Sequence, residues 1–297
     1  MSLLISAADL KDRLADPQRA GQTLIFDASF FLPTMQRDAR REFTACRLPG
    51  ARFFDIDAIA DPDSELPHMV PSAEVFTAHM QALGLRQNQP VVVYDNAPFL
   101  TAPRAWWLLT LFGHQPVQLL DGGLKAWLAA GGPVAVGAPD SPQEGDFTAA
   151  DPQPGRLVLF EEICRWQGPD PEAQIVDARA AGRFAGEEAE PRPGLRSGHI
   201  PGARNLPVSD LVDSQTGLLH GPDQLRRLFE QAGIDLARPI VTSCGSGVTA
   251  AALTLALHLL GRADTGLYDG SWSEYGASSA PLETGPGPGS DLWPLTS

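Results

Sequence analysis

The chain has 297 residues, of which 43% are hydrophobic, so it is long enough for two domains of about 150 residues, each with its own core. That hydrophobic content makes a folded chain the expectation over a disordered one. The 22 lysines and arginines are outnumbered by 36 aspartates and glutamates, and the net charge of −14 argues against a nucleic-acid partner, which requires a basic surface.

The chain contains three cysteines, Cys46, Cys164 and Cys244, with no Cys-x-x-Cys pair among them. A disulfide framework and a structural zinc site are therefore not expected, and we predict neither a metal nor a cofactor. An apolar run of about 18 residues, the length of a membrane span, does not occur. The first residues form no signal-peptide core, so we expect a cytoplasmic protein without membrane contact.

Short apolar runs alternate with helical patterns through the first half of the chain. Three runs predict strands: 24–26, 91–94 and 117–120. Two helical patterns lie between these runs: 73–83 and 103–112. The stretch 133–155 is rich in Pro, Gly, Asp and Ala and predicts a linker. We therefore place an N-terminal domain at residues 1–132.

The same alternation returns after the predicted linker. Three runs predict strands: 175–176, 240–243 and 266–268. Leu225, Leu228 and Phe229 share one helical face, and 248–260 predicts a largely buried helix. Strand–helix alternation favours a mostly parallel sheet flanked by helices in each half. We place a C-terminal domain at residues 156–297.

Four motifs of the first half recur in the second half, in the same order and at a nearly constant offset. The four pairs are Phe26-Asp27-Ala28 with Val176-Asp177-Ala178, Pro49-Gly50-Ala51-Arg52 with Pro201-Gly202-Ala203-Arg204, the run 91–95 with the run 240–244, and Leu120-Asp121-Gly122 with Tyr268-Asp269-Gly270. The chain is therefore interpreted as a tandem repeat, in which Asp95 stands where Cys244 stands in the other half.

The loop after the predicted strand 240–243 is the best candidate for chemistry. It begins with Cys244, and Gly245 and Gly247 follow before the next helix. Glycines allow such a loop to curl with its N–H groups pointing inward, and the helix adds the positive end of its dipole. This cradle favours an anionic sulfur, so Cys244 is the candidate nucleophile. The other two cysteines lack such a cradle and are predicted to be structural.

One class of cysteine enzyme is excluded by the residues that follow Cys244. Phosphatases of the Cys-x5-Arg type need an arginine at the sixth position after the cysteine to hold phosphate, and here that residue is Ala250. A cradle of neutral N–H donors still suits a cysteine persulfide, which is anionic but needs no guanidinium group.

Over essentially its whole length the sequence resembles the two-domain rhodanese family. Six stretches carry the resemblance: Phe-Phe-Asp-Ile-Asp (53–57), His68-Met69, Asp-Ala-Arg-Ala-Ala-Gly-Arg-Phe (177–184), Gly-His-Ile-Pro-Gly-Ala (198–203), Cys-Gly-Ser-Gly-Val-Thr-Ala (244–250) and Tyr-Asp-Gly-Ser-Trp (268–272). The resemblance implies an α/β fold of two tandem rhodanese-like domains. It also implies that the C-terminal domain transfers sulfur through a persulfide on Cys244, and that the N-terminal domain is an inactive copy.

The resemblance further implies roles for individual residues. Four of them would form the catalytic set: Cys244, Ser246, His68 and Asp57. Asp57 would orient His68, and His68 would address Ser246, which would assist proton transfer at the sulfur and at the donor carbonyl. Six more would bind the donor: Arg183, Arg192, Gly245, Gly247, Val248 and Thr249. The two arginines would hold a carboxylate, for which a guanidinium is suited because it donates in parallel and stays charged.

Two of these residues have simpler interpretations if the resemblance is set aside. His68 is then a loop histidine. Arg192 is then a surface residue that pairs with a nearby glutamate, and three are close in sequence: Glu187, Glu188 and Glu190.

The loop also bears on the sulfur donor. Thiosulfate-specific members of the family resemble Cys-Arg-Lys-Gly-Val-Thr, whereas Cys-Gly-Ser-Gly-Val-Thr resembles members that use 3-mercaptopyruvate and release pyruvate. We therefore expect a small anionic donor, 3-mercaptopyruvate, and as acceptor either cyanide or a thiol such as thioredoxin or a small thiol. Two alternatives stay open: a thiosulfate:cyanide sulfurtransferase, and a persulfide carrier or docking module without turnover.

Overall fold

The computed structural model describes residues 2–96, 100–166 and 171–287. The chain divides into two compact units. The first unit consists of Met1–Asp63, Val70–Pro152 and Asp213–Leu219. The second consists of Ser64–Met69, Gln153–Val212 and His220–Ser297. Each unit therefore includes a short segment from the other half of the sequence, 213–219 in the first unit and 64–69 in the second.

The first unit contains a parallel sheet of five strands. Its strands are β1 (Leu4–Ile5), β2 (Leu24–Asp27), β3 (Arg52–Phe53), β4 (Val91–Tyr94) and β5 (Val117–Leu120). Their order in the sheet is β1-β5-β4-β2-β3, and all neighbours are parallel. Every residue of β2 and β4 is buried, as expected for central strands of a parallel sheet covered on both faces.

Six helices in the described residues of the first unit accompany this sheet. They are α1 (Ala7–Ala15), α2 (Pro17–Gln22), α3 (Ala39–Ala45), α4 (Ala73–Ala82), α5 (Ala102–Leu111) and α6 (Gly123–Ala129), with a short 3-10 turn at Pro33–Met35. Every residue of α5 is buried, including Trp106 and Trp107, so this helix lies within the core. Ser72 begins α4 by accepting a hydrogen bond from the Val75 N–H group at 3.2 Å.

The second unit repeats the same architecture. Its strands are β6 (Leu157–Val158), β7 (Gln174–Asp177), β8 (Arg204–Asn205), β9 (Ile240–Ser243) and β10 (Gly266–Tyr268). The order β6-β10-β9-β7-β8 matches the order in the first unit strand for strand, and all pairs are parallel. The predicted fold class, two tandem α/β domains with parallel sheets, is therefore confirmed.

Five helices belong to the described part of the second unit. They are α7 (Phe160–Arg165), α8 (Ala181–Ala185), α9 (Pro222–Gln231), α10 (Ala250–Leu259) and α11 (Ser271–Tyr275), with a 3-10 turn at Val208–Leu211. Helix α10 is buried continuously from Ala250 to Leu257, as its apolar sequence predicts. Among the described residues, no helix combines the length and the apolar character needed to cross a bilayer.

The predicted linker contains residues that pack closely. The N–H and carbonyl groups of Ala135 pair with Arg47, and the Phe147 side chain is fully buried. Residues 133–152 accordingly form part of the first unit. The stretch has no sustained apolar period in the sequence. The few residues that pack, such as Ala135 and Phe147, therefore did not mark it as part of a domain.

Candidate active site

Cys244 directly follows β9, at the carboxyl edge of the sheet where α/β proteins bind ligands, and it is only 2% exposed. Its N–H group donates to Ser271 Oγ at 3.2 Å, and its carbonyl accepts from the Trp272 N–H group at 3.0 Å. Ser273 donates both its N–H group, at 2.8 Å, and its hydroxyl, at 2.7 Å, to the Gly245 carbonyl. Helix α11 thus holds the first two peptide groups of the loop in place.

Four N–H groups between Gly245 and Thr249 lie close to the start of the following helix. In the described part of the chain, the N–H groups of Gly245, Ser246, Val248 and Thr249 meet no hydrogen-bond acceptor. Gly247 has a φ of +76°, in the left-handed region that glycine adopts most readily, and the loop turns there. Helix α10 begins immediately after Thr249, whose side chain makes no capping bond. Donors of this kind at a helix N-terminus can stabilise an anion.

Ser246 and His68 lie side by side. The Oγ atom of Ser246 is 3.1 Å from Nδ1 of His68, and both residues are buried. His68 belongs to the segment 64–69, which forms part of the second unit although it lies in the first half of the sequence. Its φ of 62° is unusual for a residue other than glycine. The structure thus brings together two residues that the sequence predicts as catalytic.

Arg183 and Arg192 both approach the loop at Gly245. A Cβ atom placed on Gly245 would lie 3.1 Å from Arg183 Nη2 and 4.0 Å from Arg192 Nη1. The Nε–H group of Arg183 is buried and meets no acceptor among the described residues. Burying a donor without a partner costs folding free energy. This N–H group is therefore suited to donate to an acceptor atom of a ligand, such as a carboxylate oxygen.

Arg183 is connected to a buried chain of charged groups. Glu190 accepts hydrogen bonds from Arg183 Nη2 at 2.5 Å and from Arg179 Nη1 at 2.7 Å. Arg179 also binds Asp177, with its Nη2 atom 2.8 Å from Asp177 Oδ2. Burial would lower the pKa of Arg179, but the charges and hydrogen bonds of Asp177 and Glu190 outweigh burial and raise that pKa. The Arg179 guanidinium therefore stays charged inside the protein.

Asp57, the fourth predicted catalytic residue, lies in the first unit, and the other three lie in the second. It is exposed, and its N–H group donates to Asp55 Oδ1 at 3.2 Å. It also lines a cavity of about 330 Å³ together with Arg37 and Arg40.

Asp95 occupies the position in the first unit that Cys244 occupies in the second, directly after the corresponding strand. Its Oδ2 atom accepts from the Ala102 N–H group at 2.6 Å and lies 3.5 Å from Thr101 Oγ1. Ala102 is the first residue of α5, so the carboxylate caps this helix. A side-chain carboxyl group that accepts from the helix N-terminus thus replaces the cysteine in the first unit.

Sequence reasoning missed three residues that shape this site: Ser271, Ser273 and Glu190. Ser271 lies in the stretch Tyr-Asp-Gly-Ser-Trp (268–272), which carries part of the family resemblance but does not by itself indicate a contact with Cys244. Glu190 was considered only as a partner for Arg192, whereas it binds two other arginines.

Two sheets with the same strand order, and the loop 244–249 that begins with Cys244 (the cysteine loop), define a class of protein, that of tandem rhodanese domains. The model of the Rhodanese-like domain matches residues 6–130 and 165–278, and the chain therefore belongs to the rhodanese family. This finding confirms the resemblance seen in the sequence.

Particular relatives are similar over most of the chain. The human 3-mercaptopyruvate sulfurtransferase is 44% identical over 92% of this chain and 91% of its own length. The 3-mercaptopyruvate sulfurtransferase of Escherichia coli K12 is 42% identical over 94% of this chain and 97% of its own. The crystal structure of SseA from Escherichia coli, described as a 3-mercaptopyruvate sulfotransferase, has a TM-score of 0.80 and 38% identity and covers 92% of this chain and 99% of its own.

Proposed function

We propose that the protein takes sulfur from 3-mercaptopyruvate onto Cys244, releases pyruvate and passes the sulfur to an acceptor. The observation that carries this proposal is that two kinds of donor lie close together at Gly245. They are loop N–H groups that meet no acceptor among the described residues, and the guanidinium groups of two arginines. The N–H groups suit an anionic sulfur, and the guanidinium groups suit a carboxylate. 3-Mercaptopyruvate presents both a sulfur and a carboxylate, and relatives that bear its name are similar over most of the chain.

In the first half-reaction, the Cys244 thiolate attacks the sulfur of the donor. A sulfur–sulfur bond forms and the donor's carbon–sulfur bond breaks, and the electron pair moves onto carbon as the enolate of pyruvate. The proton of the donor thiol, released when the persulfide ionises, then passes to the enolate carbon to give pyruvate. Ser246 and His68, whose side chains are 3.1 Å apart, are the groups that we assign to this proton transfer.

In the second half-reaction, an acceptor attacks the outer sulfur of the persulfide. The sulfur–sulfur bond breaks, its electron pair returns to Cys244, and a new bond joins the sulfur to the acceptor. We propose a thiol acceptor, such as thioredoxin or a small thiol, with cyanide as an alternative that yields thiocyanate.

The proposal has three further parts: a residue role, the domain assignment and the location. Asp57 is assigned to the proton relay on the family resemblance alone. We place the catalytic domain at residues 156–297 and an inactive copy at 1–132, and propose 133–155 as the connection between them, although its residues 133–152 pack within the first unit. A reducing, cytoplasmic location is proposed because all three cysteines are free thiols.

Thiosulfate is the second candidate donor. Two guanidinium groups near Gly245 can also bind a compact dianion. Comparing kcat/KM for the two donors decides between them, and steady release of pyruvate would exclude a carrier without turnover.

The experiment that tests the proposal is an intact-mass measurement after exposure to 3-mercaptopyruvate. Wild type should gain the mass of one sulfur atom, and Cys244→Ser should gain none, because it lacks the attacking thiol. Cys46→Ser and Cys164→Ser are matched controls that should still gain sulfur. Stable sulfur loading of Cys244→Ser would contradict the proposed nucleophile.

A further inference from the structure

A buried carboxylate joins two arginines beside the loop. One Glu190 oxygen accepts from Arg179 and the other from Arg183, at 2.7 Å and 2.5 Å. The Glu190 side chain is only 2% exposed, so water screens neither contact strongly. We infer that Glu190 is a positioning residue that holds Arg183 for the donor's carboxylate, an inference that rests on the proposed function.

The base of this arrangement is firmly held. Arg179 has a fully buried side chain and lies over the Trp272 ring, with its guanidinium carbon 4.3 Å from the ring centroid. It also donates to the Gly198 carbonyl at 2.8 Å and to Asp177 at the end of β7. Arg179 is therefore fixed from several directions, and Glu190 has a rigid partner on one side.

The other side of Glu190 determines where Arg183 lies. An arginine side chain has many rotamers, and ordering it costs entropy unless a partner selects one of them. Glu190 takes only the Nη2 atom of Arg183 in hydrogen bonding, and the buried Nε–H group still meets no acceptor among the described residues. Glu190 therefore orients the guanidinium near Gly245 and leaves donors available for a ligand carboxylate.

The first test is Glu190→Gln. A glutamine oxygen can accept from one arginine, but its NH2 group then faces the other guanidinium, donor against donor. We expect KM for 3-mercaptopyruvate to rise on the order of tenfold, with kcat changed less than about threefold, because ground-state carboxylate binding is lost. Glu187→Gln is the matched control, since it removes the same charge from an exposed residue nearby, and it should leave KM unchanged. An unchanged KM in Glu190→Gln, or an equal rise in Glu187→Gln, would overturn the inference.

A double-mutant cycle separates positioning from a purely structural role. If Glu190 acts through Arg183, then Glu190→Gln should add no further rise in KM in the Arg183→Ala background. A rise of the same factor in both backgrounds would show that Glu190 acts by another route. If Glu190→Gln does not fold, Glu190→Asp takes its place, because it keeps the charge on a shorter side chain. Its KM should lie between that of wild type and that of Arg183→Ala, and a wild-type KM would overturn the inference.

Binding of pyruvate, measured by calorimetry, keeps this inference separate from the proposed function. Pyruvate carries the carboxylate but no transferable sulfur, so its Kd reports Arg183 without any turnover. Glu190→Gln should weaken pyruvate binding on the order of tenfold relative to wild type and to Glu187→Gln. Failure of wild type to load sulfur would contradict the proposed function, whereas equal pyruvate binding by all three proteins would contradict the role of Glu190.

Discussion

At the scale of single residues, hydrogen bonds from neutral groups shape the cysteine loop, and charged groups approach it from outside. The serines of α11 hold the Cys244 N–H group and the Gly245 carbonyl. The guanidinium groups of Arg183 and Arg192 lie close to Gly245, where the absence of a side chain leaves them room. Glycine at position 245 therefore leaves space for the two arginine side chains, in addition to allowing the loop to curl.

Donor choice is the first prediction at this scale. Gly245→Arg combined with Ser246→Lys would place two cations beside the sulfur and remove the hydroxyl that contacts His68. We expect the double variant to gain thiosulfate activity, because cations stabilise departing sulfite, and to lose 3-mercaptopyruvate activity. The new side chain at 245 also crowds Arg183, which adds to the second effect. The measurement is the ratio of kcat/KM for the two donors.

Ser246→Ala is the control for that experiment. It removes the hydroxyl without adding charge, so 3-mercaptopyruvate turnover should fall by a factor equivalent to about 2.7–4 kcal/mol, and no thiosulfate activity should appear. A double variant that still loads sulfur and keeps the wild-type donor ratio would show that loop charge does not set specificity.

The sequence allowed some of the site to be predicted and concealed the rest. Cys244 could be predicted as the nucleophile from its immediate neighbours, because the strand before it, the two glycines after it and the next helix are all visible in the local sequence. The Ser246–His68 contact joins residues far apart in the chain, and only the family resemblance suggested it. Glu190 gave no local signal, because its two partners depend on how the segment after α8 folds back.

At the scale of elements, the two halves solve the same problem differently. In the first unit, Asp95 accepts from the first N–H group of α5, whereas no side chain in the described part of the second unit accepts from the first N–H group of α10. A helix N-terminus favours an acceptor or a negative charge, and in the first unit the Asp95 carboxyl group provides the acceptor. In the second unit, the N–H groups at the N-terminus of α10 are available to stabilise an anionic sulfur.

The capping role of Asp95 predicts a local loss of stability. Asp95→Ala leaves the Ala102 N–H group without its acceptor and should cost about 0.5–2 kcal/mol. Native-state hydrogen exchange should show faster exchange of the α5 amides, and Asp95→Asn, which retains an oxygen acceptor, should lose less. Wild-type exchange rates in Asp95→Ala would contradict the capping role.

The inner strands were predictable because each is a fully buried run of three or four residues with a neighbouring strand on both sides. The strands predicted at 91–94, 117–120, 240–243 and 266–268 have those bounds in the structure, and two others are extended to 24–27 and 174–177. Four strands were missed: β1, β3, β6 and β8. Each has two residues, pairs with a single neighbour and lies at the edge of its sheet, so no periodic pattern marks it. Helix α10 begins at Ala250, two residues later than predicted, because Val248 and Thr249 form the turn that leads into it.

At the scale of the whole molecule, the net charge of −14 acts on the encounter with an acceptor. Raising the ionic strength from about 0.01 M to about 0.1 M shortens the Debye length from about 30 Å to about 10 Å. Persulfide discharge to a protein thiol acceptor of net negative charge should therefore become faster with salt, because repulsion between the two proteins is screened.

A neutral small thiol such as dithiothreitol is the control, and its rate should not depend on salt. Single-turnover discharge of the loaded protein, followed over this range of ionic strength, measures both rates. Slower discharge to the acidic acceptor at higher salt would mean that a local basic surface, and not the overall charge, guides the encounter.

The exchange of short segments between the two units is a property that the repeat did not reveal. The repeat predicts two similar domains in sequence order, whereas 64–69 and 213–219 each belong to the unit formed mainly by the other half. Segments of six or seven residues carry no period of their own, so only the folded chain shows where they lie.

The attachment of the cysteine loop to α11 has a consequence for the energetics of a cycle in two half-reactions. Because Ser271 and Ser273 hold the loop through its own peptide groups, we expect its curvature to stay the same whatever the sulfur carries. In the proposed reaction, a thiolate and a persulfide would meet the same donors in turn. Little reorganisation energy is then added to either half-reaction, and the loop serves as a template of constant shape for two anions that differ by one atom.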